Sequence, residues 1–404
     1  MFRRTAFVAA VLVAGGALAA PEFEASPTPD AAKLVRPELQ QGAHHKLRPG
    51  VTMEGYLARF EVESEFGLYQ VTSISLLEKR VHEINTLAKA LAMKEESPYL
   101  AGVAESLKQT VTAPVKIITD PFGSLAAMGT SVGKTVKKIG LLFKKRDKSA
   151  QEDKGLKAAM FGAEKRKLAS ELNLDVYTDN SKVQEFLDSV ASGRGSGKLT
   201  ISLATLAIPG GAGIAVGVAK YRGGVDDALR DLSPAELHER NMKKLLAMGI
   251  NEFLAKSFLN HPKLSPRHKT LITADLEALA GVEERGAALE AAVDGAEDHV
   301  GGAQFYENLT GMLVALHKEK HPLKRLHAVE GVVVAHAVDG KLVVALPVDL
   351  VHWSAETAEA FGDFAALDAS GARVLVVTGK LTDRAREGIT AKGFTVMEGF
   401  LASR

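Results

Sequence analysis

The chain has 404 residues, 46% hydrophobic and 25% charged, which suits two or three folded domains and argues against disorder. Its 50 basic and 49 acidic residues leave a net charge of +1, so no global field points to nucleic acid. It has no cysteine, which excludes cysteine nucleophiles, Cys-ligated zinc, iron–sulfur clusters and disulfide bonds.

Met1-Phe2-Arg3-Arg4 is a short basic start, and Thr5 to Leu18 is apolar and uncharged. Ala17-Leu18-Ala19 and Leu18-Ala19-Ala20 both offer small-residue cleavage sites before Pro21. This layout predicts a secretory signal peptide over 1–20 and a mature protein that begins near Ala20 or Pro21, in the periplasm or otherwise exported. Residues 21–50 are rich in Pro, Ala and charge without a period, and are expected to be a flexible leader. His44-His45 lies there. A tandem pair can bind metal, but on a mobile segment it reads as a bystander.

A third unit is expected over 51–150. Tyr56, Ala58, Phe60 and Val62 alternate as in a half-buried strand, Glu65-Phe66-Gly67 is a turn, and Leu68 to Thr72 returns as a second strand. Leu77, Val81, Ile84, Ala88 and Leu91 then recur at helical spacing, with Ser73 or Ser75 as the cap. His82, on this helix beside Arg80 and Glu83, reads as a surface histidine. The unit ends on a basic run, Lys134, Lys137, Lys138, Lys144, Lys145, Arg146 and Lys148. Such a run fits a solvated helix end or an anionic membrane surface. Gly129 to Thr135 resembles a P-loop but has three residues, not four, between its glycines, and Gly193 to Lys198 lacks a hydroxyl residue after Lys198.

Residues 151–328 are expected to form a helical domain. Leu174-Asp175-Val176-Tyr177-Thr178-Asp179-Asn180 has acidic spacing like a calcium loop but lacks its turn glycine, so Asp179, Asn180 or Ser181 reads as a helix cap. Leu199 to Ala219 carries no charge and is broken by Pro209-Gly210-Gly211. It reads as a buried apolar hairpin or as a membrane segment. Ser233-Pro234 and Ser265-Pro266 are strong helix starts. His317 and His321 stand one helical turn apart, but Lys318 and Lys320 repel a cation, and no metal or other cofactor is expected.

Residues 329–404 read as a small α/β domain of order ββαβαβ. Gly331 to Ala337 and Leu342 to Leu346 flank an Asp339-Gly340 hairpin turn. Ser354 caps a helix, Arg373 to Thr378 is a doubly buried strand, Thr382 caps a second helix, and Phe394 to Met397 closes the sheet. The fold class is therefore α+β: a helix-rich centre, an N-terminal β-hairpin–helix unit and this C-terminal domain. Ligands of such sheets gather at the carboxyl ends of the strands, here near Asp349, His352, Thr378, Gly379 and Thr382. Asp349 with His352 is the candidate acid–base pair, although each also has a structural reading, as turn residue and helix flank.

Three stretches, Leu76 to Ile84, Leu174 to Asn180 and Leu264-Ser265-Pro266-Arg267-His268, together resemble an uncharacterised family of exported proteobacterial proteins of unknown function. The resemblance covers most of the mature chain and brings no catalytic residues with it. The expectation is a non-catalytic exported protein acting through a protein partner or an anionic membrane surface such as the inner membrane. The alternative is a periplasmic hydrolase using Asp349 and His352.

Overall fold

The computed structural model describes residues 22–109, 118–119, 156–199, 219–296, 302–329, 331–368 and 371–401. The expected signal peptide, the basic run 134–148, the P-loop-like stretch 129–135 and residues 200–218 of the apolar segment lie outside them. Among the described residues, no helix is long and apolar enough to cross a membrane.

The architecture is α+β, with two large cores. The first begins with α1 (Ala31–Leu34), α2 (Pro37–Gln40), β1 (His45–Leu47) and β2 (Thr52–Glu54). β3 (Leu57–Ser64) and β4 (Gly67–Thr72) form the expected hairpin, in antiparallel register from Arg59 opposite Thr72 to Ser64 opposite Gly67. The alternation of β3 buries Ala58, Phe60 and Val62. These meet Leu77, Val81 and Ile84 of α3 (Ile74–Ala92), which Ser73 caps by accepting from the Leu76 amide. α4 (Pro98–Gln109) follows, and the two-residue β5 (Ile118–Thr119) pairs parallel with β4.

Two expectations change here. Residues 21–50 were expected to be flexible, yet 22–50 carry α1, α2 and β1, and Val35, Leu39 and Leu47 are buried in the first core. What orders them is tertiary: Glu24 accepts from the Trp353 amide at 2.6 Å and from the Thr382 hydroxyl at 2.7 Å, far along the chain. The expected boundary at 150 also shifts. α5 (Leu156–Glu171) and α6 (Ser181–Gly195) join the N-terminal unit, because Leu168, Leu172, Phe186 and Leu187 pack into the same core as α3 and α4. Lys182 and Tyr99 fasten α6 to α4 through the carbonyls of Leu107 and Ser189.

α7 (Val225–Asp231) forms a small cluster of its own through Val225, and the second core builds on α8 (Pro234–Ala247), α9 (Glu252–Leu259), α10 (Pro266–Ala278), α11 (Ala287–Gly295) and α12 (Gly302–Glu319). Ser233 and Ser265 each form a full capping box. These helices do not make a separate domain. Leu313 and Leu316 of α12 pack directly on one face of the C-terminal sheet, on Val333, Ala335, Val343 and Val374.

That sheet has five strands in the order β12-β10-β8-β7-β6. The strands are β6 (Leu323–Val329), β7 (Val332–Ala337), β8 (Leu342–Leu346), β10 (Arg373–Val377) and β12 (Phe394–Met397). β6, β7 and β8 form an antiparallel meander, and β8, β10 and β12 run parallel. A small parallel pair, β9 (Leu350–Val351) and β11 (Lys380–Leu381), lies beyond the ends of β8 and β10. α13 (Ala355–Ala366) and α14 (Asp383–Ala391) cover the second face, on Val334, Val344, Leu375 and Val377. The result is three layers, helix on sheet on helix. β6 was expected in the helical domain. It is an edge strand whose Lys324, Arg325 and His327 are exposed, so it lacks the apolar alternation that marks its neighbours.

Candidate functional site

A cavity of about 430 Å³ opens at the carboxyl ends of the parallel strands, between the two cores. This is the place where open α/β sheets take ligands. Asp349, Thr378 and Gly379 line it from the sheet. Ser73, Ser75 and Glu78 line it from the start of α3, Asn308 from α12, and Leu34, Arg36 and Leu39 from the N-terminal strap. Lys380, Leu381, Arg386 and Glu398 complete the rim.

Asp349 is the joint between the cores. Its carboxylate accepts from the Ala58 amide at 2.8 Å and from the Ile74 amide at 3.1 and 3.2 Å. Its own amide and that of Leu350 donate to the Tyr56 carbonyl, at 3.0 and 3.1 Å. Burial pushes its carboxyl up to about 7, and the charge of Glu78 acts in the same direction. The two backbone amides oppose that rise. Next to it Ser73 has a φ of +97°, a region that L residues rarely occupy, and its hydroxyl and the Ile74 amide are both engaged there.

His352 does not pair with Asp349. It lies edge-on to Tyr56, with ring centroids 5.8 Å apart, and its buried Nδ1 has no hydrogen-bond partner. It is absent from the cavity lining. Thr378 donates to the Val348 carbonyl at 2.8 Å, and Thr382 caps α14 while holding Glu24. Of the expected strand-end residues, Asp349, Thr378 and Gly379 therefore converge, and His352 and Thr382 serve elsewhere.

Gly379 allows the turn from β10 to β11 to press on Asp349. Lys380 donates to the Asp349 carbonyl at 3.0 Å, and a Cβ on residue 379 would overlap that carbonyl. Gly379→Ala is expected to cost about 1–3 kcal/mol through overpacking. Chemical denaturation checks it, and an unchanged midpoint would show that the turn can yield.

Behind the cavity, α3 turns a second, buried face to a network of charges. Lys79 pairs with Asp175 at 2.8 Å, and Arg80 with Glu83 at 2.9 Å and Asp179 at 2.7 Å. Glu83 also accepts from the Thr178 hydroxyl at 2.5 Å and from the Asn180 side-chain Nδ2 at 3.0 Å. Arg267 meets Glu307 at 2.6 Å. Although burial opposes it, the charges of Lys79 and Arg267 hold the Asp175 carboxyl well below the usual carboxylate range. Burial lowers His268 to about 4, so its ring is neutral near pH 7. Nδ1 accepts from the Ser265 amide, which leaves Nε2 as the protonated nitrogen, 3.7 Å from Glu307. Three stretches far apart in the chain, Leu76 to Ile84, Leu174 to Asn180 and Leu264 to His268, thus meet in space here. His82, read as a surface residue, is buried, with its ring bonded to the Asn173 carbonyl at 2.8 Å.

Two further histidines have structural partners. His44 pairs with Glu65 at 2.9 Å, and His317 accepts from the Leu323 amide where α12 turns into β6. Among the described residues, no group of His, Asp or Glu is arranged to hold a metal. Sequence reasoning overlooked Arg36, Ser75, Glu78, Asn308, Arg386 and Glu398, which reach the cavity from distant segments. Lys380 stands directly after a strand-end glycine and could have been marked by that position alone. No protein-family model, curated protein or solved structure matches this chain.

Proposed function

We propose that this chain is an exported, non-catalytic binding protein that receives a small ligand in the cavity at the ends of β8, β10 and β12. The cavity itself carries the reading: its walls come from distant segments, and its one buried carboxylate is held by backbone amides. The lining hydroxyls favour binding over covalent chemistry. Ser73 accepts from Leu76 and Ser75 accepts from Asn308 at 2.9 Å, and among the described residues neither is bonded to an imidazole or carboxylate that would take its proton. Export rests on the basic and apolar opening of the sequence and on the resemblance to exported proteobacterial proteins. A protein partner, or the anionic surface of the inner membrane, is the wider contact expected of the loaded protein; nucleic acid is not.

Native mass spectrometry of the full chain, recovered from the periplasmic fraction, tests this. The expected species begins at Ala20 or Pro21 and carries a small-molecule adduct that leaves on denaturation. Retention of Met1 in a cytosolic extract overturns export, and an adduct-free protein that no small molecule stabilises overturns binding.

One observation favours a second reading, a hydrolase working from the same cavity: the Asp349 carboxyl titrates near neutrality, as a general acid or base should. Turnover of an ester, amide or phosphoester that is lost in Asp349→Asn would establish it in place of the first.

A further inference from the structure

The charges around the cavity define what it can hold. Six ionisable side chains line it: Arg36, Lys380, Arg386, Glu78, Asp349 and Glu398. Four of them cancel within the chain, as Arg36 with Glu78 at 3.2 Å and Arg386 with Glu398 at 2.6 Å. Glu398 also accepts from the Leu381 amide at 2.5 Å, which fixes the second pair. Lys380 and Asp349 are left.

These two are not equivalent. Both oxygens of Asp349 already accept backbone amides. Its proton is also held to near neutral pH by burial and by the charge of Glu78 from α3, so below neutral pH it presents little negative charge. The Lys380 ammonium donates only to the Lys33 carbonyl, at 2.8 Å, and among the described residues no carboxylate lies within ion-pair distance of it. An ammonium has three donors, so two are uncommitted. Ser75 accepts from Asn308, and its own proton enters no hydrogen bond among the described residues. The lining therefore offers a spare cation and a spare hydroxyl donor, and no spare anion. The rest of its surface is largely aliphatic, from Leu34, Leu39, Ile74, Leu381 and Leu401.

We propose that the cavity takes a small carboxylate-bearing ligand with an aliphatic body, with Lys380 as its counter-ion and Ser75 as a second donor. This rests on the binding role proposed above. A single spare cation suits a monocarboxylate better than a dianionic phosphate, and among the described residues each lining carboxylate already has a partner, so an amine finds no spare counter-ion. The space of about 430 Å³ lies toward the small end of ligand sites, which run from roughly 300 Å³ upward. Deprotonation of Asp349 adds a negative charge beside the ligand, so affinity falls as pH rises through neutrality.

Isothermal titration of the full chain with linear aliphatic carboxylates of graded length, and with the matching amines and alcohols, tests the proposal. Carboxylates are expected to bind and amines not to bind. Lys380→Met is expected to weaken carboxylate binding by about tenfold or more, and Lys380→Arg to retain it. Asp349→Asn is expected to bind equally well on both sides of neutral pH. Unchanged melting temperatures of the Lys380 variants keep a folding defect from imitating the result. Equal affinity for alcohol or amine, or an unaffected Lys380→Met, overturns the carboxylate assignment while leaving a binding role intact. If no probe binds but the native adduct persists, the ligand class alone is wrong; if the adduct is also missing, the binding role falls with it.

Discussion

Arg222→Ala is expected to lower stability by about 3–5 kcal/mol, because it strands a buried carboxylate without its counter-ion. Asp275 on α10 has no solvent exposure. Arg222 grips both of its oxygens, each at 2.7 Å, and the Thr310 hydroxyl of α12 donates at 2.8 Å. Even so, burial holds the Asp275 carboxyl above its ordinary range. Desolvation thus offsets much of the attraction, and the pair matters as a lock more than as a net source of stability. It fixes the segment that follows the turn Ala219–Tyr221 onto two helices of the second core. The paired change Arg222→Met with Asp275→Leu, which removes both charges and keeps apolar volume, is expected to be roughly neutral or mildly stabilising. Chemical denaturation of wild type, both single variants and the double variant measures the coupling. A stable Arg222→Ala protein would mean that water or another cation reaches Asp275.

The same physics explains which parts of the molecule the sequence made legible. Where burial follows local periodicity, reading worked: the alternation of Ala58, Phe60 and Val62, the Asp339-Gly340 turn and the caps Ser233, Ser354 and Thr382 all have local causes. β6 escaped because an edge strand solvates Lys324 and Arg325, which removes its period. The strap at 22–50 escaped because Glu24 is ordered by Trp353 and Thr382, hundreds of residues away, and no local pattern encodes such a bond. The site shows both cases. Asp349 was legible as a strand-end residue, since its place after β8 depends on the domain's own pattern. Its partners were not, because Ala58 and Ile74 offer backbone amides, which carry no side-chain signature. His352 was paired with it on sequence proximity alone, and the aromatic contact with Tyr56 gives that ring a different setting. The charged network behind α3 was visible only as three separate stretches. Their convergence is a tertiary fact that gives Lys79, Arg80 and Glu83 buried partners.

Asp349→Ala is expected to destabilise the joint between the cores by about 2–5 kcal/mol, since the amides of Ala58 and Ile74 lose their acceptor in a buried place. The loss falls at a strained position. Ser73, at a φ of +97°, begins α3, and the Ile74–Asp349 bond helps to hold that conformation. Asp349→Asn keeps a carbonyl oxygen for the amides and is expected to be close to wild type at low pH. The two variants separate the hydrogen bond from the charge. Because the folded protein holds the Asp349 proton more tightly than the unfolded chain, this group's contribution is complete below the ordinary aspartate range and is lost as pH rises through about 7. Wild-type melting temperature should therefore fall over that window, and that of Asp349→Asn should fall less. An Asn variant with the full wild-type slope would assign the titration to another group. If the slope is abolished and the cores stay joined, Asp349 is a carboxyl whose proton sets both the strength of the joint and the charge of the cavity beside it.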